Sequence, residues 1–330
     1  MPTTSKDRAA AFFRDHAMVI LIVGLAVVVS ILRPNFISWP NLNNLAVNTA
    51  GRFLVALGVS GCLITRGTDL SAGRLVGLGA CVAATLLQNP DYSGRFFPNL
   101  PRLPVWVALL AAVLVCAAFG LINGCVISFL KVPPFIATLG MQTFVYGICL
   151  VYTGAKPIGG LRRDYTDIAN FKIGQFNVWM IVIAVVCGFF IWLLYNQTRH
   201  GKYMYAIGGN EAAAEVAGVN TSATKIRIYT LAAVFYALGG FLWAAKSGGT
   251  SVNMGQGYEL EAIAACTIGG VSVNGGVGRV SGILVGVLVF ELLKIALQFM
   301  GVETSYTYIV QGLVIVVAVA LDLRKYLVKR

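Results

Sequence analysis

Ten apolar runs dominate this chain, at about 17–33, 43–65, 71–88, 104–130, 134–153, 177–195, 226–246, 258–272, 280–300 and 306–322. A helix needs about 20 apolar residues to cross the hydrocarbon core of a membrane. Every run but one is long enough. The exception, 258–272, is short and flanked by glycine, which predicts a re-entrant or broken helix. Charged residues make up only 12% of the chain and hydrophobic ones 58%. A soluble domain carries about 25% charged residues, so a soluble fold is excluded. The pattern predicts an all-α, polytopic membrane protein with about ten transmembrane helices. No low-complexity linker divides it, so residues 1–330 are expected to form a single transmembrane domain.

The net charge of +12 does not mark a nucleic-acid binder, because the basic residues form no stripe. They sit at the ends of apolar runs, where they set orientation. With the N-terminus inside, 14 basic residues fall on the cytoplasmic side and 8 outside. Three more, Arg52, Arg74 and Lys294, lie within the runs. Both termini are therefore expected in the cytoplasm. The basic stretch with Lys6, Arg8 and Arg14 precedes Ala17–Leu32 with no A-x-A-like cleavage site, so the first run reads as an uncleaved span. Trp39, Trp106 and Trp179 stand near predicted span ends, as interfacial aromatics do. The seven cysteines lie in or beside apolar runs with no CxxC pair, and read as small apolar residues.

One segment breaks the pattern. Residues 198–225 are polar, fall on the expected cytoplasmic side, and hold a small alanine-rich helix between Gly209 and Gly218. Such a helix is what another protein can grip; the plain alternative is an amphipathic helix lying on the bilayer. Asn210 or Glu211 is placed to cap or orient it.

Other motifs have two readings each. In Gly67-Thr-Asp-Leu-Ser-Ala-Gly73, Asp69 or Ser71 can cap the next helix, and the stretch can also be a polar break lining a transport path. Gly269–Gly278 is too unlike a phosphate-binding loop to bind nucleotide. Gly278, Gly282 and Gly286 recur every four residues, as do the pairs Gly73/Gly77 and Gly120/Gly124, and predict close helix packing, with gating as the other reading. Glu291 and Lys294, at i and i+3, either pair with each other or serve a pore. Glu259 and Glu261 suit the start of a helix. The neutral polar residues at membrane depth include Asn48, Asn123 and Gln142; with Asp69 these are the path candidates. Two histidines, His16 and His200, and no H-E-x-x-H or G-x-S-x-G motif leave no basis for catalysis or a metal site.

Gly67-Thr-Asp-Leu-Ser-Ala-Gly73, Pro134-Phe-Ile-Ala-Thr-Leu-Gly140, the run Arg199–Gly218 and Tyr258-Glu-Leu-Glu-Ala-Ile-Ala264 with its glycine-rich turn occur in one order. Together they resemble the permease subunits of ribose-type sugar ABC importers, from about residue 17 to 326. Gly67–Arg74 and Cys81–Gln88 resemble the galactose/methyl-galactoside branch. The resemblance implies a ten-helix homodimer in the bacterial inner membrane, partnered by a cytoplasmic ABC ATPase and an external sugar-binding protein. ATP would be bound by the partner, and this chain would carry no cofactor. The resemblance also implies a coupling helix over Asn210, Glu211, Ala212, Ala213, Glu215, Val216 and Gly218. In the general coupling motif three residues separate Glu-Ala-Ala from glycine; here four separate Glu211-Ala-Ala213 from Gly218. The rival readings are a self-sufficient ten-helix secondary transporter and a structural membrane scaffold. Against the first, the two halves show no convincing sequence repeat and Glu291 is the one deep-lying acid expected.

Overall fold

Each of the ten apolar runs coincides with a helix in the computed structural model, which describes residues 17–327. Lys6, Arg8, Arg14, His16, Lys329 and Arg330 lie outside the described residues. The helices are α1 (Ala17–Leu32), α2 (Trp39–Ile64), α3 (Ala72–Leu86), α4 (Val105–Phe129), α5 (Pro134–Thr153), α6 (Arg163–Asn170), α7 (Val178–Gln197), α8 (Arg199–Gly209), α9 (Glu211–Val216), α10 (Thr221–Ser247), α11 (Tyr258–Ile268), α12 (Val280–Phe299) and α13 (Thr304–Leu327). Seven of them (α2, α4, α5, α7, α10, α12 and α13) are long and apolar enough to cross a membrane. The chain is a multi-pass, mostly helical membrane protein. A short hairpin, β1 (Lys172–Ile173) with β2 (Phe176–Asn177), joins α6 to α7.

The short helices explain the architecture. α3 has 15 residues and α11 has 11. At 1.5 Å per residue α11 is about 16 Å long, roughly half the hydrocarbon core. Each short helix follows a long one through a non-helical stretch: α2, then Thr65–Ser71, then α3; α10, then Gly248–Gly257, then α11. α2 and α10 run in opposite directions, so the two units are inverted relative to each other. They interlock, each short helix packing on the long helix of the other unit. In the first crossing, a Cβ built on Gly79 of α3 would stand 2.9 Å from Ala237 of α10. In the second, the Cys266 thiol of α11 lies 3.4 Å from the Ala56 carbonyl of α2. In lipid, little hydrophobic force drives helices together, so close backbone approach has to supply the contact energy.

The recurring glycines do that. A Cβ on Gly124 of α4 would stand 2.7 Å from Ile226 Cα of α10, and one on Gly286 of α12 would stand 2.8 Å from the Gly269 nitrogen after α11. The close-packing reading of these glycines is the one the structure bears out.

The two ends of the bundle are tied separately. At one end Arg66 donates to the Asn274 carbonyl at 2.7 Å and to the Gly209 carbonyl at 3.0 Å. Asp322, near the end of α13, accepts from Ser272 at the same end. At the other end strand-like bridges link Gln88 to Leu161 and Ile158 to Thr250, and the Gln88 side chain donates to the Gly159 carbonyl at 2.8 Å. There Arg162 bonds to Leu103. Phe36, just beyond α1, meets Phe299 at the end of α12 edge-to-face, with ring centres 5.4 Å apart. Trp39, Trp106 and Trp179 stand, largely exposed, at the starts of α2, α4 and α7 on this same end.

Candidate functional site

The polar segment 198–225 folds into α8, α9 and the first turn of α10, and each of the three starts on a side-chain cap. Thr198, Asn210 and Asn220 accept from the backbone N–H of Gly201, Ala213 and Ala223 at 3.1, 3.1 and 2.9 Å. Short polar oxygens do this where free N–H groups need partners. Asn210 is thus the cap of the alanine-rich helix. Glu211 does the other job foreseen for it, since its carboxylate orients the helix by pairing with Lys225 Nζ at 2.6 Å.

α9 ends as sharply as it begins. Val219 N–H donates to the Ala214 carbonyl and Gly218 N–H to the Glu215 carbonyl, at 3.0 and 2.9 Å. This is a Schellman closure, and it needs a left-handed residue at the position after the cap. Gly218 supplies it, with φ +81°. The four-residue gap between Glu211-Ala-Ala213 and Gly218 therefore follows from the length of a six-residue helix plus its closing turn.

The helix is clamped on one face and bare on the other. Glu211 and Glu215 hold the first turn of α10, through Lys225 and through Thr221 Oγ1 at 2.6 Å. Ala214 is buried beneath. Ala212, Ala213 and Val216 point away, and Val216 is 92% exposed. A valine so exposed on a polar, non-spanning segment has no partner within the described part of this chain.

Two polar clusters lie deeper. In the first, Asp69 Oδ1 accepts from Ser71 N–H and Ser71 Oγ at 3.0 and 2.6 Å, and Tyr236 of α10 donates to Oδ2 at 3.1 Å. Asn123 of α4 donates to Ser71 Oγ at 3.0 Å. Thr138 of α5 binds the Leu70 N–H and the Thr68 carbonyl. Neither Asp69 nor Ser71 is the side-chain N-cap considered for α3. Ser71 holds the cap position in helical backbone with no cap bond, and Asp69 instead closes an Asx turn ahead of the helix. These bonds tie the non-helical stretch to α4, α5 and α10, and the Asn123 Oδ1 acceptor is left without a partner among the described residues.

The second cluster is ionic. Arg52 of α2 pairs with Glu261 of α11 and Glu291 of α12. Lys294 lies 3.1 Å from Glu261 and 3.3 Å from Glu291. The Tyr258 ring faces the Arg52 guanidinium at 4.5 Å. The pairing of Glu291 with Lys294 is present, but it is part of a four-membered network. Glu291 is also not the one deep acid: Asp69 and Glu259 are buried too. Beside the network Lys246 donates to Asn48 and sits 4.7 Å from the Trp243 ring.

The four path candidates thus separate. Asp69 and Asn123 meet on Ser71. Asn48 stands with Lys246. Gln142 of α5 is half-buried and donates to Glu259 Oε1 at 3.3 Å. Arg74 and Glu259, which gather around Gln142 with Tyr146, stand in the Gly67–Arg74 and Tyr258–Ala264 motifs, but no sequence signal joined either of them, or Tyr146, to Gln142.

Residues 41–319 match the family described as branched-chain amino acid transport system / permease component. The chain belongs to this permease family. The permease is 41% identical to the galactose/methyl galactoside import permease protein MglC of Escherichia coli strain K12, across the whole of both chains. It is 44% identical, again over both full lengths, to MglC of Salmonella typhimurium. It is 34% identical to the ribose import permease protein RbsC of Escherichia coli K12, covering 96% of this chain and 95% of that one. No solved structure matches the permease.

Proposed function

We propose that this chain is the membrane-spanning permease subunit of an ATP-driven ABC importer in the bacterial inner membrane. Its substrate would be a monosaccharide of the galactose/methyl-galactoside class. Two copies would form the channel, two ABC ATPase subunits would sit beneath them, and an external sugar-binding protein would deliver the cargo. The chain itself is not an enzyme. The full-length likeness to sugar import permeases supports the substrate class.

The observation that carries the coupling role is α9: rigidly capped at both ends, clamped to α10, and bare at Ala212, Ala213 and Val216. Small residues let a partner's groove close over the helix. Asn210, Glu211, Glu215 and Gly218 fix its shape and seat. A push on α9 would reach the membrane core through α10, whose Tyr236 holds the Asp69 break, and two states of the ATPase would bias two arrangements of that break.

Ten crossings are proposed, α3 and α11 each being completed by the non-helical stretch before it. Both termini would lie on the side of α9. The Asp322–Ser272 bond supports this for the C-terminus, and the Phe36–Phe299 contact at the opposite end supports it for the N-terminus. Of the path candidates, Gln142 reaches the surface; Asp69 and Asn123 brace the break behind it, and Asn48 steadies Lys246 beside the ionic network.

Inverted units with broken helices are also a mark of self-sufficient carriers, and this keeps that rival alive. Reconstitution separates the two. The permease in liposomes should move no sugar along an ion gradient, and should move it with ATP when the ATPase and the loaded binding protein are present. Ala213→Trp should abolish ATPase assembly while leaving the permease folded. Sugar uptake by the permease alone would refute the importer, and normal uptake by the variant would remove α9 from the coupling role.

A further inference from the structure

The two inverted units meet where their short helices begin. The first two turns of α3 and the stretch leading into α11 touch there: a Cβ on Gly77 would stand 2.6 Å from the Met254 carbonyl, and Arg74 donates to the Val252 carbonyl at 3.3 Å. Four polar side chains converge on this junction. Arg74 lies over the Tyr146 ring of α5, its guanidinium carbon 4.2 Å from the ring centre. Gln142, one turn earlier on α5, donates to Glu259 Oε1. Glu259 is only 5% exposed, and its second oxygen has no hydrogen-bond partner among the described residues. That oxygen lies against Gly73, beside Arg74.

An acceptor that far from water without a donor is costly, of the order of 1–3 kcal/mol for a neutral group and more for a charged one. Such groups persist where a ligand or water supplies what the protein does not. The junction is not sealed, because Arg74, Gln142 and Tyr146 are each partly exposed, and Thr143, Asn253 and Gln256 around them are open. Charged and amide groups at membrane depth do not face lipid. This face therefore borders water or a second copy of the chain.

We propose that Arg74, Gln142, Tyr146 and Glu259 form a sugar-contact site of the permease itself, reading the hydroxyl groups of the passing monosaccharide. The inference rests on the importer reading above and deepens it, since a channel served by a binding protein needs no recognition of its own. The chemistry fits a sugar. Glu259 accepts from hydroxyls, Gln142 both accepts and donates, Arg74 donates from a planar fork, and the Tyr146 ring offers an apolar face to C–H groups and holds the guanidinium flat. Neither a free anion nor an apolar solute would use a buried carboxylate beside an amide.

The test uses the complete importer in liposomes, with permease, ATPase and binding protein loaded with either galactose or methyl galactoside. Glu259→Gln and Gln142→Ala should lower uptake about tenfold, the worth of one charge-assisted hydrogen bond. They should also change the ratio of galactose to methyl galactoside uptake, while ATP hydrolysis stimulated by the binding protein stays within twofold of wild type. Tyr146→Leu keeps the apolar bulk and should shift the same ratio through Arg74. An unchanged ratio overturns the proposal, whether uptake is normal or falls in step with ATP hydrolysis, since both outcomes make the cluster a structural brace only. Failure of the importer reading looks different: the wild-type assembly would show no ATP-dependent uptake of either sugar.

Discussion

Val216 offers the sharpest measurement of what α9 is for. Its side chain is 92% exposed and lies on a polar segment between spans, so its removal costs the isolated permease almost nothing. Val216→Ala deletes the equivalent of two methylenes. At about 0.8 kcal/mol each, full burial of this side chain in a partner's groove would make the loss about 1.6 kcal/mol, or roughly fifteenfold in affinity per helix. The obvious confounder works the other way, because alanine is the better helix former by up to about 0.7 kcal/mol. Val216→Asp goes further by placing a carboxylate in the closed contact, and should abolish assembly. The assay is a titration of the ATPase subunit onto permease in nanodiscs, with thermal unfolding of the permease alone as control. The expected result is weakened binding with an unchanged melting temperature. If Val216→Ala and Val216→Asp both bound within twofold of wild type, the bare face of α9 would not be the partner's seat, and the argument from exposure would fail.

Two further outcomes follow from the membrane core and from α8. In the ionic network two cations face two anions, so Arg52→Leu leaves an uncompensated buried charge and should cost about 3–5 kcal/mol; the double variant Arg52→Leu with Glu291→Leu should recover most of that, and a double variant less stable than the single in a detergent melt would refute the charge-balance account. His200, at the start of α8, is half-buried and its Nδ1 has no partner among the described residues. Burial first, and Arg227 second, hold its pKa below the usual 6.5. The unfolded chain then takes up a proton at a higher pH than the folded one does, so this contribution is complete above about pH 6.5 and is lost as pH falls toward the lower folded value. Melting curves from about pH 7.5 to about 5.5 should slope downward for wild type and less steeply for His200→Gln, and parallel curves would count against it.

Much of this molecule is legible in its sequence because lipid imposes a simple rule. Helices that face hydrocarbon on most sides are apolar all round, so the ten runs stand out whatever their neighbours do. α9 is legible for the opposite reason: its cap, its alanines and its closing glycine are local signals, and Asn210, Glu211 and Gly218 act within a few residues of themselves. The deep clusters are hidden because they are assembled from distant parts of the chain. Asp69 meets Tyr236 across 167 residues, and Gln142 meets Glu259 across 117. Arg52 looks like a stray charge in an apolar run until α11 and α12 bring it two carboxylates. The inverted pairing of α2–α3 with α10–α11 is hidden for a further reason. Its two breaks are built from different residues, Gly67-Thr-Asp-Leu-Ser71 in one and Gly248–Gly257 in the other, so the halves share geometry without sharing sequence. What they have in common is a physical requirement, namely that non-helical backbone at membrane depth must be met by polar groups or water. In the first break Asp69, Ser71, Asn123 and Thr138 meet it from within the protein. In the second, Arg74 serves the Val252 carbonyl, and the nearby carboxylate of Glu259 is left half-satisfied at a partly open face. Exposure is what separates a brace from a site: Asp69, Ser71, Asn123 and Thr138 are closed over and can only hold, whereas the Glu259 carboxylate stands at a partly open face, poised to take a donor from what passes.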